Sequence, residues 1–146
     1  MISSNVEDLL VEEEQFGLKT LSPYKKFQEY ADKIKNDLLS FLIDQKTSGK
    51  KVAGYGAAAK GNTLLNYAGI KNDLISYVCD AAPSKQGKFL PGSHIPILSP
   101  VVFKESRPDT ILILPWNIAD EVIDQNSYVR EWGGKFVVAI PEIRII

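Results

Sequence analysis

The sequence predicts an α/β domain of three layers, with a mainly parallel sheet of five to six strands, preceded by N-terminal helices. Three observations carry this. From residue 50 onward, short apolar runs of strand length alternate with helical segments, the pattern of a parallel sheet with crossover helices. The run TILILP at residues 110–115 is almost wholly apolar, as a central strand covered on both faces must be. Up to residue 48 the periodicity is helical instead. The boundary expected from this change divides a helical segment, 1–48, that packs on the domain from a Rossmann-like domain, 49–146.

The elements follow in order. Residues 4–16 form a short helix: Ser4 and Glu7 have capping-box spacing, and Gly17 stands where a helix stops. Glu12, Glu13 and Glu14 are a solvated face. Residues 22–46 form a longer helix, with Ser22 as cap and Pro23 at the first helical position. Tyr24, Phe27, Ala31, Ile34, Leu38 and Phe41 make an apolar stripe, which Leu39 and Leu42 widen beyond a coiled-coil seam. Strands are expected at residues 51–55, 74–80, 95–98, 110–115 and 135–140. Helices are expected at residues 62–67, 100–105 and 118–132, the last broken by Gly133-Gly134. The expected strand order is 3-2-1-4-5.

Composition narrows the function classes. The chain has 146 residues, which suits one domain, and its net charge of −1 gives no electrostatic footprint for nucleic acid. The apolar runs fall far short of the ~20 residues a membrane-spanning helix needs. The single cysteine, Cys79, cannot form an internal disulfide, which fits a reducing cytoplasm. One Cys and one His, His94, do not make a structural zinc site. Cys79 lies in an apolar strand and reads as buried and inert, and His94 reads as structural.

The segment Gly54-Tyr55-Gly56-Ala57-Ala58-Ala59-Lys60-Gly61 follows a strand and opens a helix, the setting in which a glycine turn cradles an anion. Helix N–H groups and the helix dipole favour negative charge there, Lys60 adds a cation, and Asn62 and Thr63 add donors. The dinucleotide pattern G-x-G-x-x-G fits imperfectly when counted from Gly54, because the third glycine is displaced to Gly61. The phosphate-loop pattern fails because Asn62 stands where its lysine belongs and no acid follows residues 110–115, so an NTPase is rejected. The plain structural alternative is that the glycines only permit close packing. Asp80 ends the second strand, where Rossmann proteins carry a ribose-binding acid; the alternative is a loop-entry Asp that bonds nearby backbone. Lys85 in the next loop, and Trp116 and Asn117 after the central strand, sit at the same sheet edge. The candidate phosphate- and substrate-binding set is therefore Gly54, Tyr55, Gly56, Ala57, Lys60, Gly61, Asn62, Thr63, Asp80, Lys85, Trp116 and Asn117.

Four ordered segments carry a resemblance: VAGYGAAAKGNTLLNYAGI at 52–70, DAAPSKQGKFLPGSHIPILSP at 80–100, ILPWNIADEV at 113–122 and GGKFVVAIPEIRII at 133–146. Together they resemble the carboxy-terminal domain of sugar-nucleotide (TDP-deoxysugar) C-methyltransferases, which are S-adenosylmethionine-dependent. EEEQFGL at 12–18 is similar to the linker into that domain. Ala58 departs from the proline expected in the family's turn, which would leave the loop looser. The resemblance implies a nucleoside diphosphate sugar held by residues 54–63, with Lys85, Trp116 and Asn117 at the rim. It implies that zinc and S-adenosylmethionine belong to two other domains, so that no catalytic residue and no cofactor site falls in this chain. The chain would then be part of a larger enzyme, or a free-standing relative that works with a methyltransferase catalytic domain in trans. Two alternatives remain on the residues alone: a NAD- or CoA-type Rossmann domain, and a structural interaction domain docking through the helix at 22–46.

Overall fold

The computed structural model describes residues 4–146, with side chains from residue 5 onward, so the capping pair of Ser4 with Glu7 lies outside the described residues. The chain divides into two compact units, one ending at Lys33 and the other running Ile34–Ile146.

In the first unit, α1 (Ser4–Phe16) stops at Gly17, whose φ of 86° is open to glycine at no steric cost. The N–H groups of Gly17 and Leu18 return to the carbonyls of Glu14 and Glu13, which satisfies two carbonyls of the last turn. α2 (Ser22–Thr47) then begins, and the Tyr24 hydroxyl donates to the Leu18 carbonyl at 2.8 Å. The early part of the apolar stripe is open: Tyr24 is 54% and Phe27 72% exposed. They border a hollow of about 670 Å³ with Phe16, Leu18, Pro23 and Tyr30, all in this unit.

In the second unit, the rest of α2 buries Ile34, Leu38 and Leu42. The following elements are β1 (Val52–Tyr55), α3 (Ala59–Tyr67), β2 (Val78–Cys79), β3 (Ile97–Leu98), α4 (Val102–Ser106), β4 (Thr110–Ile113), α5 (Ala119–Gln125), β5 (Lys135–Val138) and β6 (Arg144–Ile145). The sheet order is β3-β2-β1-β4-β5-β6. The first five strands are parallel in the expected order, and β6 adds an antiparallel edge.

The all-apolar central strand has its explanation here. Successive side chains of a strand point to opposite faces. Leu112 and Leu114 join the cluster of Leu38, Leu42, Leu65 and Ile70 on one face. Ile111 and Ile113 join Phe103, Val122 and Phe136 on the other. Both faces are covered, so no position along β4 tolerates a polar side chain except Thr110. That hydroxyl is buried and donates to Gln45 Oε1.

Several expected elements are shorter or broken. The strand expected at 74–80 survives only as Val78–Cys79, because the N–H groups of Leu74 and Ile75 both turn back to the Lys71 carbonyl. Ile75 is buried by a turn, which an apolar pattern alone does not distinguish from a strand. β3 is confined to Ile97–Leu98: Pro96 has no N–H to give a ladder, although its carbonyl accepts the Val78 N–H and it bridges to Phe89. The helix expected at 118–132 breaks at Asn126 into α5 and a 3₁₀ segment, Ser127–Trp132. The buried Asn126 amide donates to the Val122 carbonyl and accepts from the Tyr128 hydroxyl, a local competition typical of Asn.

The seating of α3 on the sheet depends on Gly61. A β-carbon there would lie 2.5 Å from the Leu114 β-carbon, which the strand backbone fixes in place. Gly61→Ala is therefore expected to destabilise the domain by about 1–3 kcal/mol, the usual cost of overpacking. Thermal denaturation checks this, and an unchanged melting temperature would mean that α3 is free to lift.

Candidate functional site

β1 and β4 lie side by side at the middle of the sheet, with β2 and β3 on one flank and β5 and β6 on the other. The strand order reverses between them, and open α/β sheets bind ligands at the carboxyl end of such a switch point. Two segments meet there: the turn from β1 into α3, and the segment that leaves β4.

The turn is built around Gly56, whose φ of 91° is strained for any residue with a side chain. A β-carbon at Gly56 would also meet the Pro115 ring at 2.5 Å. Gly54, by contrast, lies within β1, paired in register with Val78 and Leu112. This changes the reading of the glycine pattern. The residue that makes the tight turn is Gly56, and the one that lets the helix pack closely is Gly61. The G-x-G-x-x-G register thus runs from Gly56 to Gly61 with its third glycine in place, and Ala58 holds the position of the second. In dinucleotide-binding turns the second glycine lets backbone approach the pyrophosphate; here a methyl group stands there.

α3 opens with no side-chain cap at Ala58. The Ala58 N–H goes to the Gly56 carbonyl and the Asn62 N–H to the Ala58 carbonyl. The N–H groups of Ala59, Lys60 and Gly61 have no acceptor among the described residues, as the first turn of an uncapped helix dictates. The Lys60 ammonium donates to Asn117 Oδ1 and lies 4.8 Å from the centre of the Trp116 ring, within cation–π range. One of its three donors is engaged by Asn117, which leaves two for an anion.

On the β2 side the Asp80 carboxylate is nearly buried. Oδ2 accepts the Ala57 N–H at 2.7 Å and the Lys85 ammonium at 3.0 Å, and Oδ1 accepts the Ala82 N–H at 2.9 Å. Gln86 donates to the Asp80 carbonyl. Burial pushes the Asp80 carboxyl upward, but the Ala82 N–H, Lys85 and the Ala57 N–H outweigh it and hold the group below its ordinary value.

The structure thus gathers Lys60, Trp116 and Asn117 at one rim, and joins Asp80, Lys85 and Ala57 in a second cluster. Tyr55 goes elsewhere: its ring is buried beside Phe103 on the far face of β1, and burial raises its phenol pKa. Thr63 turns its hydroxyl back to the Ala59 carbonyl. Asn62 Oδ1 is buried without a hydrogen-bond partner among the described residues. Cys79 is buried, and desolvation pushes its thiol up to about 12, so it is not a ready nucleophile. His94 is exposed in a turn with φ of 56°. Sequence reasoning missed Leu114, Pro115 and Ala82, which shape the site through backbone and packing and carry no chemical signature in the sequence. Among the described residues, no group of three or more His, Cys, Asp or Glu is placed to hold a metal ion, and no helix is long and apolar enough to cross a membrane.

Residues 1–141 match the family described as the C-methyltransferase C-terminal domain. The chain belongs to that family. Over 141 residues it is also 39% identical to the C-methyltransferase NovU of Streptomyces niveus, a match covering 97% of this chain and 34% of NovU. The chain therefore spans about a third of the length of this relative. Within the C-methyltransferase C-terminal domain, the glycine turn, the Asp80 cluster and the Lys60 rim all fall inside the matched residues.

Asp80 makes a testable contribution to stability. A carboxyl whose folded pKa lies below its unfolded value stabilises the fold above the unfolded pKa, and that contribution is lost as pH falls through the folded one. Asp80→Asn lacks the titrating group. The gap in melting temperature between the native protein and this variant is expected to be widest near neutrality and to close in acid. A gap constant with pH would remove the charge from the account.

Proposed function

We propose that this domain holds the nucleoside diphosphate sugar acceptor of a C-methyltransferase, a TDP-deoxysugar foremost. On this reading it works with a catalytic domain, in cis or in trans, and transfers no methyl group by itself. S-adenosylmethionine and zinc are assigned to parts of the enzyme outside this chain, and the setting is the cytoplasm. The observation that carries the reading is the pairing of three open N–H groups at the start of α3 with the Lys60 ammonium beside Trp116 and Asn117. Oriented N–H donors at a helix start, together with a cation, suit a diphosphate. Trp116, half-buried, offers a flat face to a sugar or base. The family supports the enzyme class, and NovU is by its name a C-methyltransferase.

The geometry weighs against a dinucleotide. The Asp80 carboxylate, the expected ribose partner, already accepts two backbone N–H groups and a lysine.

Calorimetric titration with TDP-sugars, NAD and S-adenosylmethionine tests the proposal. Saturable binding is expected for a TDP-sugar alone, and Lys60→Ala is expected to weaken it by roughly tenfold or more, the scale of a lost charge-assisted hydrogen bond. Methyl transfer by the purified chain would overturn the proposal. So would the absence of TDP-sugar binding both alone and with a catalytic domain added.

A further inference from the structure

The carboxylate of Asp80 stands where a ribose-binding acid is expected, yet its contacts lead elsewhere. It is 10% exposed as a side chain, and its partners come from two different loops. Ala57 belongs to the turn between β1 and α3, whereas Ala82 and Lys85 belong to the loop that follows β2. Backbone ties hold that second loop in shape: the Lys85 N–H reaches the Ala82 carbonyl, and the Gly87 N–H reaches the Ile97 carbonyl. Gln86 closes the ring by donating to the Asp80 carbonyl at 2.9 Å. Ala57 is the residue between Gly56, with its left-handed φ, and Ala58, which precedes the open N–H groups of α3. Its N–H has one acceptor among the described residues, and that acceptor is Asp80.

We infer that Asp80 is a positioning residue for the ligand: with Lys85 as its counter-ion, it clamps the Ala57 N–H and so fixes the turn that aims the start of α3 at the bound diphosphate. This rests on the proposed function for the identity of the ligand. The clamp also engages both carboxylate oxygens of Asp80 on the β2 side of the crevice, filling both acceptor sites of Oδ2 and one of Oδ1. The ligand therefore seats over β1 and β4, against Lys60, Trp116 and Asn117, and a ribose diol finds no free acid on the other side. Lys85 is in this account the partner of a carboxylate and not a phosphate contact.

The sign of one substitution separates this role from the simpler ones. An acid near an anion site repels it, so a purely electrostatic Asp80 predicts tighter binding when the charge is removed. A ribose-contacting Asp80 predicts weaker binding with the turn unchanged. A clamping Asp80 predicts weaker binding together with a loosened turn.

The experiment uses the full chain and two variants, Asp80→Asn and Lys85→Gln. Amide hydrogen exchange followed by NMR is the first readout and needs no ligand. Calorimetry with a TDP-sugar is the second. In Asp80→Asn the Ala57 amide is expected to exchange about tenfold or more faster, the scale of one lost hydrogen bond to a charged group, while amides in β4 and β5 keep their protection. TDP-sugar affinity is expected to fall by roughly tenfold on the same scale. Lys85→Gln is expected to reproduce a smaller part of both effects, and the double variant to be no worse than Asp80→Asn, as partners in one network behave. Unchanged Ala57 exchange, or tighter binding, in Asp80→Asn would overturn the inference. Should Asp80→Asn fail to fold, Lys85→Gln decides the matter by the Ala57 exchange alone. A native chain that binds no TDP-sugar, alone or with a catalytic domain, would defeat the proposed function, and the Ala57 exchange would still decide whether the clamp exists.

Discussion

The first turn of α3 lies against the end of β4 because neither Gly56 nor Gly61 carries a β-carbon, and most of the site's geometry follows from that contact. Pro115 occupies the space left at Gly56, and Leu114 the space left at Gly61. The helix therefore starts low over the sheet, with Lys60 within reach of the residues that follow β4. A helix seated higher would carry the same residues and bring none of them together. In this domain the glycines act through closeness between elements, and the anion-receptive surface is a consequence of that closeness.

The distribution of charge complements the packing. Asp80 and Lys85 neutralise each other on the β2 side, and the acid directs its remaining acceptor capacity to backbone N–H groups. Lys60 on the β4 side faces an amide and an aromatic ring. The crevice is thus electrostatically uneven: neutral and occupied on one flank, positive with free donors on the other. An anion entering it meets a directional preference before any detailed contact forms.

Much of this was legible in the chain itself. The alternation of strand and helix signals gave the class, and the all-apolar run at 110–115 identified the central strand, because only a strand covered on both faces lacks polar positions. Lys60, Trp116 and Asn117 were each marked as candidates, though their convergence rests on the seating of α3, which no local pattern encodes. The register of the glycine motif was misread by two residues. Gly54 fits the written pattern, but its packing against Val78 inside β1 and the left-handed Gly56 are facts of three dimensions. Residues 74–75 looked like strand because burial leaves the same apolar signature in a turn. The break at Asn126 was missed because its cause is a side-chain amide competing for a helix carbonyl.

The sheet is not equally deep along its width. β1, β4 and β5 are four residues long, while β2 and β3 have two each and depend on side chains and loops for the rest of their anchorage. Short ladders unzip at less cost than long ones. The flank bearing Asp80 is therefore held by shorter ladders than the β1–β4 pair beside Trp116. The wall of Lys60 and Trp116 thus stands beside the longer ladders, while the turn over it is gripped from the shorter side.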